Sequence, residues 1–210
     1  MKYIIVSGGT PPSYRLLKRY IDDGYNVIAA DSGANVLYTN KIIPKFLIGD
    51  FDSIDKKVLE YFKGKVDIEK YPPEKDYTDT ELALLKAIDN GATEVMFLGC
   101  TGSRMDHVIG NVCVLYKAIN KGLKAYIVDD NNKITIITKP SKIMGCRGEG
   151  FSLFAYDKEV KNLKIEGSKY NLDNYNLKVG DNLTVSNEFL ENEVYLNFNS
   201  GSLILIRAVD

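Results

Sequence analysis

The sequence has no tryptophan, a single histidine and only three cysteines. Cys100, Cys113 and Cys146 stand far apart without a CxxC pair, and one histidine cannot complete a zinc site with them. We therefore expect reduced thiols and a cytoplasmic location. No apolar run approaches the roughly 20 residues that span a bilayer, and the apolar start of the chain breaks at Ser7, too early for a signal peptide.

An excess of charge of either sign is also lacking. Lys and Arg total 27 and Asp and Glu total 28, so the net charge is −1. Nonspecific attraction to nucleic acid or to an anionic membrane therefore has no electrostatic basis. Apolar residues make up 45% and charged residues 26% of the 210 residues, which is typical of a globular protein with a substantial core. An anionic ligand would need a local site, for example one containing metal ions.

The two halves of the chain differ in their hydrophobic periodicity. Short continuous apolar runs alternate with helical patterns in the first half, which predicts a Rossmann-like α/β domain with a mostly parallel sheet over residues 1–130. After residue 139 the helical periodicity disappears, and short strands between Gly, Asn and Asp turns predict a small antiparallel β-sandwich or barrel over residues 139–210.

Individual elements follow from the same patterns. The first half contains predicted strands at Tyr3–Val6, Asn26–Ala30, Lys45–Ile48, Glu94–Leu98 and Lys124–Val128, and predicted helices at Pro12–Asp23, Asp79–Asn90 and Arg104–Asn120. The second half contains predicted strands at Phe151–Tyr156, Val160–Ile165, Asn182–Val185, Val194–Phe198 and Leu203–Arg207. The turn residues 199–201 predict a hairpin between the last two strands.

A pair of carboxylates follows one of the predicted strands. Asp50 and Asp52 are two residues apart, and in an extended chain such residues project the same way. Paired carboxylates at the end of a strand suit Mg²⁺, with phosphate and water oxygens completing its coordination. The alternative is an acidic turn that caps the next helix at Ser53 or Asp55.

A second acidic segment runs from Lys75 to Glu81. Thr78 and Glu81 have the spacing of a capping box, which predicts that a helix begins there. Capping and the helix dipole explain one acidic residue in the first turn. They do not explain Asp76 and Asp79 together beside a lysine. We therefore interpret a carboxylate here as a third metal ligand and Lys75 as a phosphate contact.

A glycine-containing loop, 99–103, precedes the longest predicted helix. Arg104, Asp106 and His107 follow it at positions that the apolar stripe of the helix does not need. Helix N-termini bind anions, and a guanidinium matches two phosphate oxygens at once. The alternative for these side chains is a helix cap or a solvated surface. Loops 7–10 and 31–35 also follow strands, but the sequence has neither GxGxxG nor a Walker pattern. Together, these loops predict a site for Mg²⁺ and polyphosphate.

The motifs, in this order, resemble those of the thiamine pyrophosphokinase family. The matching segments are ADSGAN (30–35), GDFDSI (49–54), KD (75–76), TDTELAL (78–84) and GSRMDH (102–107). In the second half, GSKY (167–170) and SNE (186–188) resemble the family's small thiamine-binding domain, with Asn171 where bacterial members often have proline.

The resemblance implies an activity, ligands and site residues. It implies transfer of pyrophosphate from ATP to the thiamine hydroxyl, with AMP released, by a homodimer that holds thiamine between its subunits. The implied Mg²⁺ ligands are Asp50, Asp52 and Asp79. The expected ATP contacts are Asp31, Ser32, Lys75, Thr78, Arg104, Asp106 and His107, and the implied thiamine contacts are Ser186 and Asn187. Asp76 and Asp106 are the alternatives for a general base, and the sequence does not choose between them.

Three other functions are compatible with the same motifs. A pyrophosphokinase for another alcohol, such as a pterin, would keep the first half and change the pocket of the second. A Mg²⁺-dependent phosphohydrolase would use the same carboxylates with water as the acceptor. A nucleotide-binding regulatory module would catalyse nothing, but it leaves the convergence of carboxylates with arginine and lysine unexplained.

Overall fold

The structure is a computed structural model, and it describes residues 1–209. The chain divides into two compact units, one formed by Met1–Asp130 and the other beginning at Asn131. Within the described range, no helix combines the length and the apolar character needed to cross a membrane.

The first unit alternates strands with helices. Its strands are β1 (Lys2–Val6), β2 (Asn26–Ala30), β3 (Phe46–Gly49), β4 (Asp67–Lys70), β5 (Glu94–Leu98) and β6 (Lys124–Val128). Its helices are α1 (Tyr14–Asp22), α2 (Gly33–Thr39), α3 (Lys56–Phe62), α4 (Asp79–Asp89) and α5 (Met105–Asn120). The strand order is β6-β5-β1-β2-β3-β4 and every neighbouring pair is parallel, as the continuous apolar runs predict.

The central strands of this sheet are covered on both faces. Tyr3, Ile4, Ile5 and Val6 of β1 are all 0% exposed, although consecutive strand residues point to opposite faces. The edge strand β4 is different, because it pairs on one side only and its sequence is Asp-Ile-Glu-Lys. The apolar content of each strand therefore follows its place in the sheet.

The strand order changes direction at β1. The chain adds β2, β3 and β4 on one side of β1 and then returns to add β5 and β6 on the other side. The loops that leave β1 and β5 diverge at such a switch point and leave a crevice, which is the usual ligand site of an open parallel sheet.

The second unit consists of antiparallel strands. They are β7 (Asn132–Ile137), β8 (Ser141–Met144), β9 (Gly150–Ala155), β10 (Val160–Glu166), β11 (Leu172–Leu177), β12 (Asn187–Glu188), β13 (Glu193–Asn197) and β14 (Leu203–Ala208). The order β12-β9-β14-β7 forms one layer and β11-β10-β13-β8 the other. Side chains of both layers, such as Phe151 and Leu163, share one core. The predicted fold class, α/β followed by a small antiparallel β-sandwich, is confirmed.

The predicted hairpin at residues 199–201 is wrong. Strand β13 pairs with β10 and β8, whereas β14 pairs with β7 and β9, so the turn carries the chain from one layer to the other. Gly201 allows this passage because its φ is +97° and a Cβ there would lie 2.7 Å from the carbonyl oxygen of Glu159.

The predicted strand Asn182–Val185 is also wrong, because this segment forms turns. Leu183 and Val185 suggest an alternating strand, but their side chains are 60% and 39% exposed. Thr184 between them is buried instead, and its hydroxyl donates a hydrogen bond to the carbonyl of Leu153 at 2.6 Å. A buried polar contact therefore sets the local conformation.

Candidate active site

A cleft of about 880 Å³ lies in the first unit at the carboxyl ends of β1, β2, β3 and β5. Its lining residues come from the segments 7–10, 30–32, 50–53, 73–80 and 99–111. This volume is within the range of small-molecule sites, and the place is the one that the strand order predicts for a ligand.

The loops that carry the lining residues are in very close backbone contact. A Cβ at Gly33 would lie 1.9 Å from the carbonyl oxygen of Val6. A Cβ at Gly99 would lie 2.2 Å from the carbonyl oxygen of Ser7, and the φ of Gly99 is +64°. Only glycine fits at these positions, so the loops after β1, β2 and β5 are held against each other.

Three carboxylates converge in the cleft. Asp31, Asp50 and Asp52 each offer one oxygen, and these oxygens lie within 4.8 Å of one another. Asp31 is only 9% exposed, and its Oδ1 is buried without a hydrogen-bond partner. Burial raises the pKa of Asp31, and the negative charges of Asp79 and Asp50 raise it further. A buried carboxylate without a partner is stabilised by a nearby cation, and the three hard oxygen donors fit Mg²⁺.

Lys75 balances part of this negative charge. Its ammonium lies 3.1 Å from Asp50 Oδ2 and 2.8 Å from Asp79 Oδ1, and its side chain is 12% exposed. The contact with Asp50 is a hydrogen bond, whereas the contact with Asp79 Oδ1 is an ion pair without hydrogen-bond geometry. The N–H of Asp52 and the ammonium of Lys75 both lower the pKa of Asp50.

Helix α4 begins at the cleft, as the Thr78 and Glu81 spacing predicts. Thr78 is its N-cap, and the threonine hydroxyl accepts a hydrogen bond from the N–H of Glu81 at 3.2 Å. The carboxylate of Glu81 pairs with Lys117 on α5. One half of the capping box is therefore present, while the side chain of Glu81 ties α4 to α5.

Helix α5 also begins at the cleft, and Arg104 is its N-cap residue. The guanidinium donates two hydrogen bonds to Asp106, from Nε at 3.0 Å and from Nη2 at 2.5 Å. These bonds hold the pKa of Asp106 well below its usual range. His107 Nε2 lies 4.0 Å from Asp106 Oδ2, and all three side chains are exposed. Because the pair is exposed to solvent, the guanidinium can exchange Asp106 for an anionic ligand.

Ser186 and Asn187 lie in the second unit and differ in exposure. Ser186 is exposed with a φ of +57°, whereas Asn187 is 3% exposed. Asn187 Oδ1 accepts from the N–H groups of Tyr170 and Glu188, and Nδ2 donates to Ser168 Oγ and to the carbonyl of Tyr170. An amide has two lone pairs and two N–H bonds, so all its hydrogen-bonding capacity is used. Asn187 therefore holds the 168–170 loop in place.

Most of the residues chosen from the sequence lie together. The cleft is lined by Asp31, Ser32, Asp50, Asp52, Lys75, Thr78, Asp79, Arg104, Asp106 and His107. Asp76 is exposed and lies outside the described cleft lining. The metal set expected from the resemblance contains Asp79, but the oxygens that converge belong to Asp31, Asp50 and Asp52.

Several lining residues were missed in the sequence. Thr80 and Asn111 are examples, and Thr80 Oγ1 lies 2.8 Å from Ser7 Oγ in the predicted loop 7–10. Asn111 Nδ2 donates a hydrogen bond to the carbonyl of Cys100. Thr80 and Asn111 lie within helical patterns, where nothing in the sequence distinguishes a residue that faces a cleft. Ser7 belongs to the loop 7–10 that the sequence predicts at the site, and the whole loop lines the cleft.

Both units match known proteins. A family profile described as "Thiamin pyrophosphokinase, catalytic domain" matches residues 17–127, and one described as "Thiamin pyrophosphokinase, vitamin B1 binding domain" matches residues 133–203. The chain is 32% identical over 212 aligned positions to a protein named thiamine pyrophosphokinase from Bacillus subtilis (strain 168), covering 98% of each. The chain belongs to the thiamine pyrophosphokinase family. This confirms the resemblance seen in the motifs and identifies the protein as a member of an enzyme family.

Solved structures of the thiamine pyrophosphokinase family have the same fold. The structure is similar to a thiamine pyrophosphokinase of Bacillus subtilis, with a TM-score of 0.90 and 29% identity over 100% of both chains. A thiamin pyrophosphokinase of Geobacillus thermodenitrificans gives a TM-score of 0.85 and 30% identity over 100% of this chain and 98% of that one. A thiamin pyrophosphokinase of Candida albicans shares the fold, with a TM-score of 0.84 at 16% identity over 99% of this chain and 90% of that one.

Proposed function

We propose that this thiamine pyrophosphokinase family member transfers a pyrophosphoryl group from ATP to the hydroxyl of thiamine, giving thiamine diphosphate and AMP. One observation carries the assignment of the phosphate site to the cleft. The buried Oδ1 of Asp31 lacks a partner beside Asp50 and Asp52, in a cleft that also contains Lys75 and Arg104. Converging carboxylates next to two basic side chains suit a metal-bound polyphosphate.

Asp31, Asp50 and Asp52 are the residues proposed to hold Mg²⁺. They offer three hard oxygen donors in one place, which fits this ion. The resemblance also implies Asp79 as a ligand, and this role needs either its Oδ2 or the departure of Lys75 from its Oδ1. When bound, Mg²⁺ supplies neutralisation of the negative charge on the phosphates.

Lys75 and Arg104 are proposed to bind the phosphates of ATP. Each is paired with a carboxylate, and phosphate oxygens can replace these carboxylates. The guanidinium can contact two oxygens at once. The N-termini of α4 and α5 add backbone N–H groups that favour negative charge. Positioning and charge stabilisation then provide most of the acceleration.

The hydroxyl oxygen of thiamine attacks the β-phosphorus in line as the bond from that phosphorus to the bridging oxygen of AMP breaks. The hydroxyl proton must pass to a base, and Asp106 lines the cleft whereas Asp76 does not. Arg104 lowers the pKa of Asp106 while the two are paired. If Arg104 turns to the phosphates, the pKa of Asp106 rises and this carboxylate becomes a better proton acceptor.

Product analysis tests the proposed reaction. Incubation with ATP, Mg²⁺ and thiamine should give equal amounts of AMP and thiamine diphosphate, and Asp52→Asn should abolish both. ADP as the product would contradict attack at the β-phosphorus, and orthophosphate release without thiamine would indicate a phosphohydrolase. Turnover only with another alcohol, such as a pterin, would transfer the assignment to that substrate.

We also propose that the active form is a homodimer in which Ser186 and Asn187 of one subunit belong to a thiamine site that the ATP site of the other subunit completes, as the resemblance implies. Inactive Asn187→Ala and Asp79→Asn chains, each checked by circular dichroism, should then complement each other after mixing. With random exchange, half of the dimers contain one chain of each variant, and each of these dimers has one intact site. The mixture should then show roughly a quarter of the turnover of the unsubstituted protein. No recovery after verified exchange would contradict the shared site.

A further inference from the structure

The cleft contains one large aromatic side chain that the proposed reaction does not use. Among the described residues that line the cleft, Tyr77 is the only phenylalanine or tyrosine. Its side chain remains 44% exposed. The other lining residues are mostly small, polar or charged, so Tyr77 contributes the largest aromatic surface in the cleft.

Neighbouring residues fix the position of this ring. Tyr77 directly precedes Thr78, the N-cap of α4. The ammonium of Lys117 lies over the ring at 5.4 Å from its centroid and also pairs with Glu81 in the first turn of α4. One face of the ring therefore contacts a cation that is itself anchored, while 44% of Tyr77 stays exposed for contact with a ligand.

We propose that Tyr77 binds a heteroaromatic ring by stacking in the cleft. This rests on the proposed function, because both of its substrates carry such rings: adenine in ATP and the pyrimidine and thiazolium rings of thiamine. Carboxylates, basic side chains and backbone N–H groups bind phosphates but do not cover a flat ring. A tyrosine face does, and stacking on aromatic side chains contributes substantially to the binding of nucleobases.

A purely structural role makes a different prediction. A hydrophobic residue before the N-cap often packs on the residue four positions into the helix, which here is Leu82, 7% exposed. Leucine would serve that purpose as well as tyrosine. The substitution Tyr77→Leu therefore separates stacking on a ligand from packing at the start of α4, and Tyr77→Phe keeps the ring while removing the hydroxyl.

The test compares Tyr77→Leu and Tyr77→Phe with the control Tyr14→Leu. Tyr14 is 54% exposed at the start of α1 and is not among the described residues that line the cleft. Titration calorimetry measures the Kd for thiamine and for an ATP analogue with a methylene group between its α- and β-phosphorus, which cannot transfer pyrophosphate. We expect Tyr77→Leu to raise one of these Kd values roughly 5- to 100-fold. The Phe variant and the control should stay within about two-fold of the parent.

A loss confined to the ATP analogue identifies adenine as the stacked ring, and a loss confined to thiamine identifies a ring of thiamine. Unchanged Kd values in Tyr77→Leu, or an equal loss in Tyr77→Phe, would overturn the proposal. Equal weakening of both ligands together with a lower thermal midpoint would assign Tyr77 to the stability of α4 and also overturn it. If the parent forms no thiamine diphosphate, the proposed function fails, while the analogue titration still shows whether Tyr77 contacts adenine.

Discussion

Replacing Asp31 with asparagine should stabilise the metal-free protein and remove its response to Mg²⁺. The carboxylate is buried beside Asp50 and Asp52, and its Oδ1 has no hydrogen-bond partner. Asparagine has nearly the same shape without the charge. It also tolerates the left-handed backbone conformation that Asp31 adopts, at a φ of +46°. The substitution therefore tests the charge and leaves the backbone unstrained.

The separation of the carboxylates sets the size of the effect. Two like unit charges 4.8 Å apart repel by about 3.5 kcal/mol at an effective dielectric constant of 20 and by about 0.9 kcal/mol in bulk water. The lower part of this range applies, because the cleft is open and Lys75 lies 3.1 Å from Asp50. We expect the free energy of unfolding without metal to increase by about 1–2 kcal/mol.

The stabilisation by Asp31→Asn should be larger at neutral pH than at acidic pH. Burial raises the pKa of Asp31 above its ordinary 3.8, so the folded state of the parent is penalised at a pH above the raised pKa. The advantage of the variant is then greatest near neutral pH. It should shrink as the pH falls through the raised pKa and disappear below 3.8, where Asp31 is protonated in both folded and unfolded chains.

Urea unfolding followed by circular dichroism, in EDTA and in excess Mg²⁺, measures both effects. Mg²⁺ at a hundred times its Kd should stabilise the parent by about 2.7 kcal/mol and the variant by much less. The control is Asp22→Asn, which removes an exposed ion pair with Lys18 and should change stability by less than about 1 kcal/mol. An Asp31→Asn protein that is less stable in EDTA, or that gains as much from Mg²⁺ as the parent, would refute this reasoning.

Three further predictions concern other parts of the molecule. Arg104→Lys should lower kcat/KM by about tenfold or more in the coupled AMP assay although it keeps the charge, because an ammonium cannot bind two phosphate oxygens in the same geometry; parental kinetics would mean that only charge matters there. Asn187→Ala should lower the free energy of unfolding of the second unit by about 2–4 kcal/mol in urea, since it leaves several polar groups without partners, and should leave the affinity for ATP unchanged. Burial raises the pKa of the Cys100 thiol to about 12, so a thiol reagent at mildly alkaline pH should label the exposed Cys113 and Cys146 in the native protein but label Cys100 only after unfolding.

The sequence predicts elements whose pattern is local. The buried strands β1 and β5 are continuous apolar runs, and α4 and α5 have a clear apolar periodicity and begin within one residue of the predicted positions. The short helix α2 was missed because it begins at Gly33, a poor helix former that is needed there for close contact with Val6. The strand β4 was missed because its polar sequence becomes a strand only by pairing with β3.

Contacts within the site depend on strand order, which the sequence does not contain. The loops after the strands were predicted to carry the chemistry, but Asp31 joins Asp50 and Asp52 because β2 and β3 are neighbours in the sheet. The resemblance implies Asp79 as a metal ligand, whereas in the structure its Oδ1 faces Lys75. The saturated amide of Asn187 also depends on a loop 17 residues away in sequence. Such partners become neighbours only after folding.

The close glycine contacts among the loops of the cleft restrict how its preference for ligands can be altered. No side chain larger than hydrogen fits at Gly9 or Gly99, which both line the cleft, so these two positions cannot acquire new functional groups by substitution. Arg104, His107 and Tyr77 at the rim are exposed, and exchanging them does not disturb the core. A library of variants randomised at these rim positions should consist mostly of folded proteins with altered ligand preference. A library randomised at the two glycines should yield mostly insoluble chains, so any change of substrate in this scaffold has to begin at the rim.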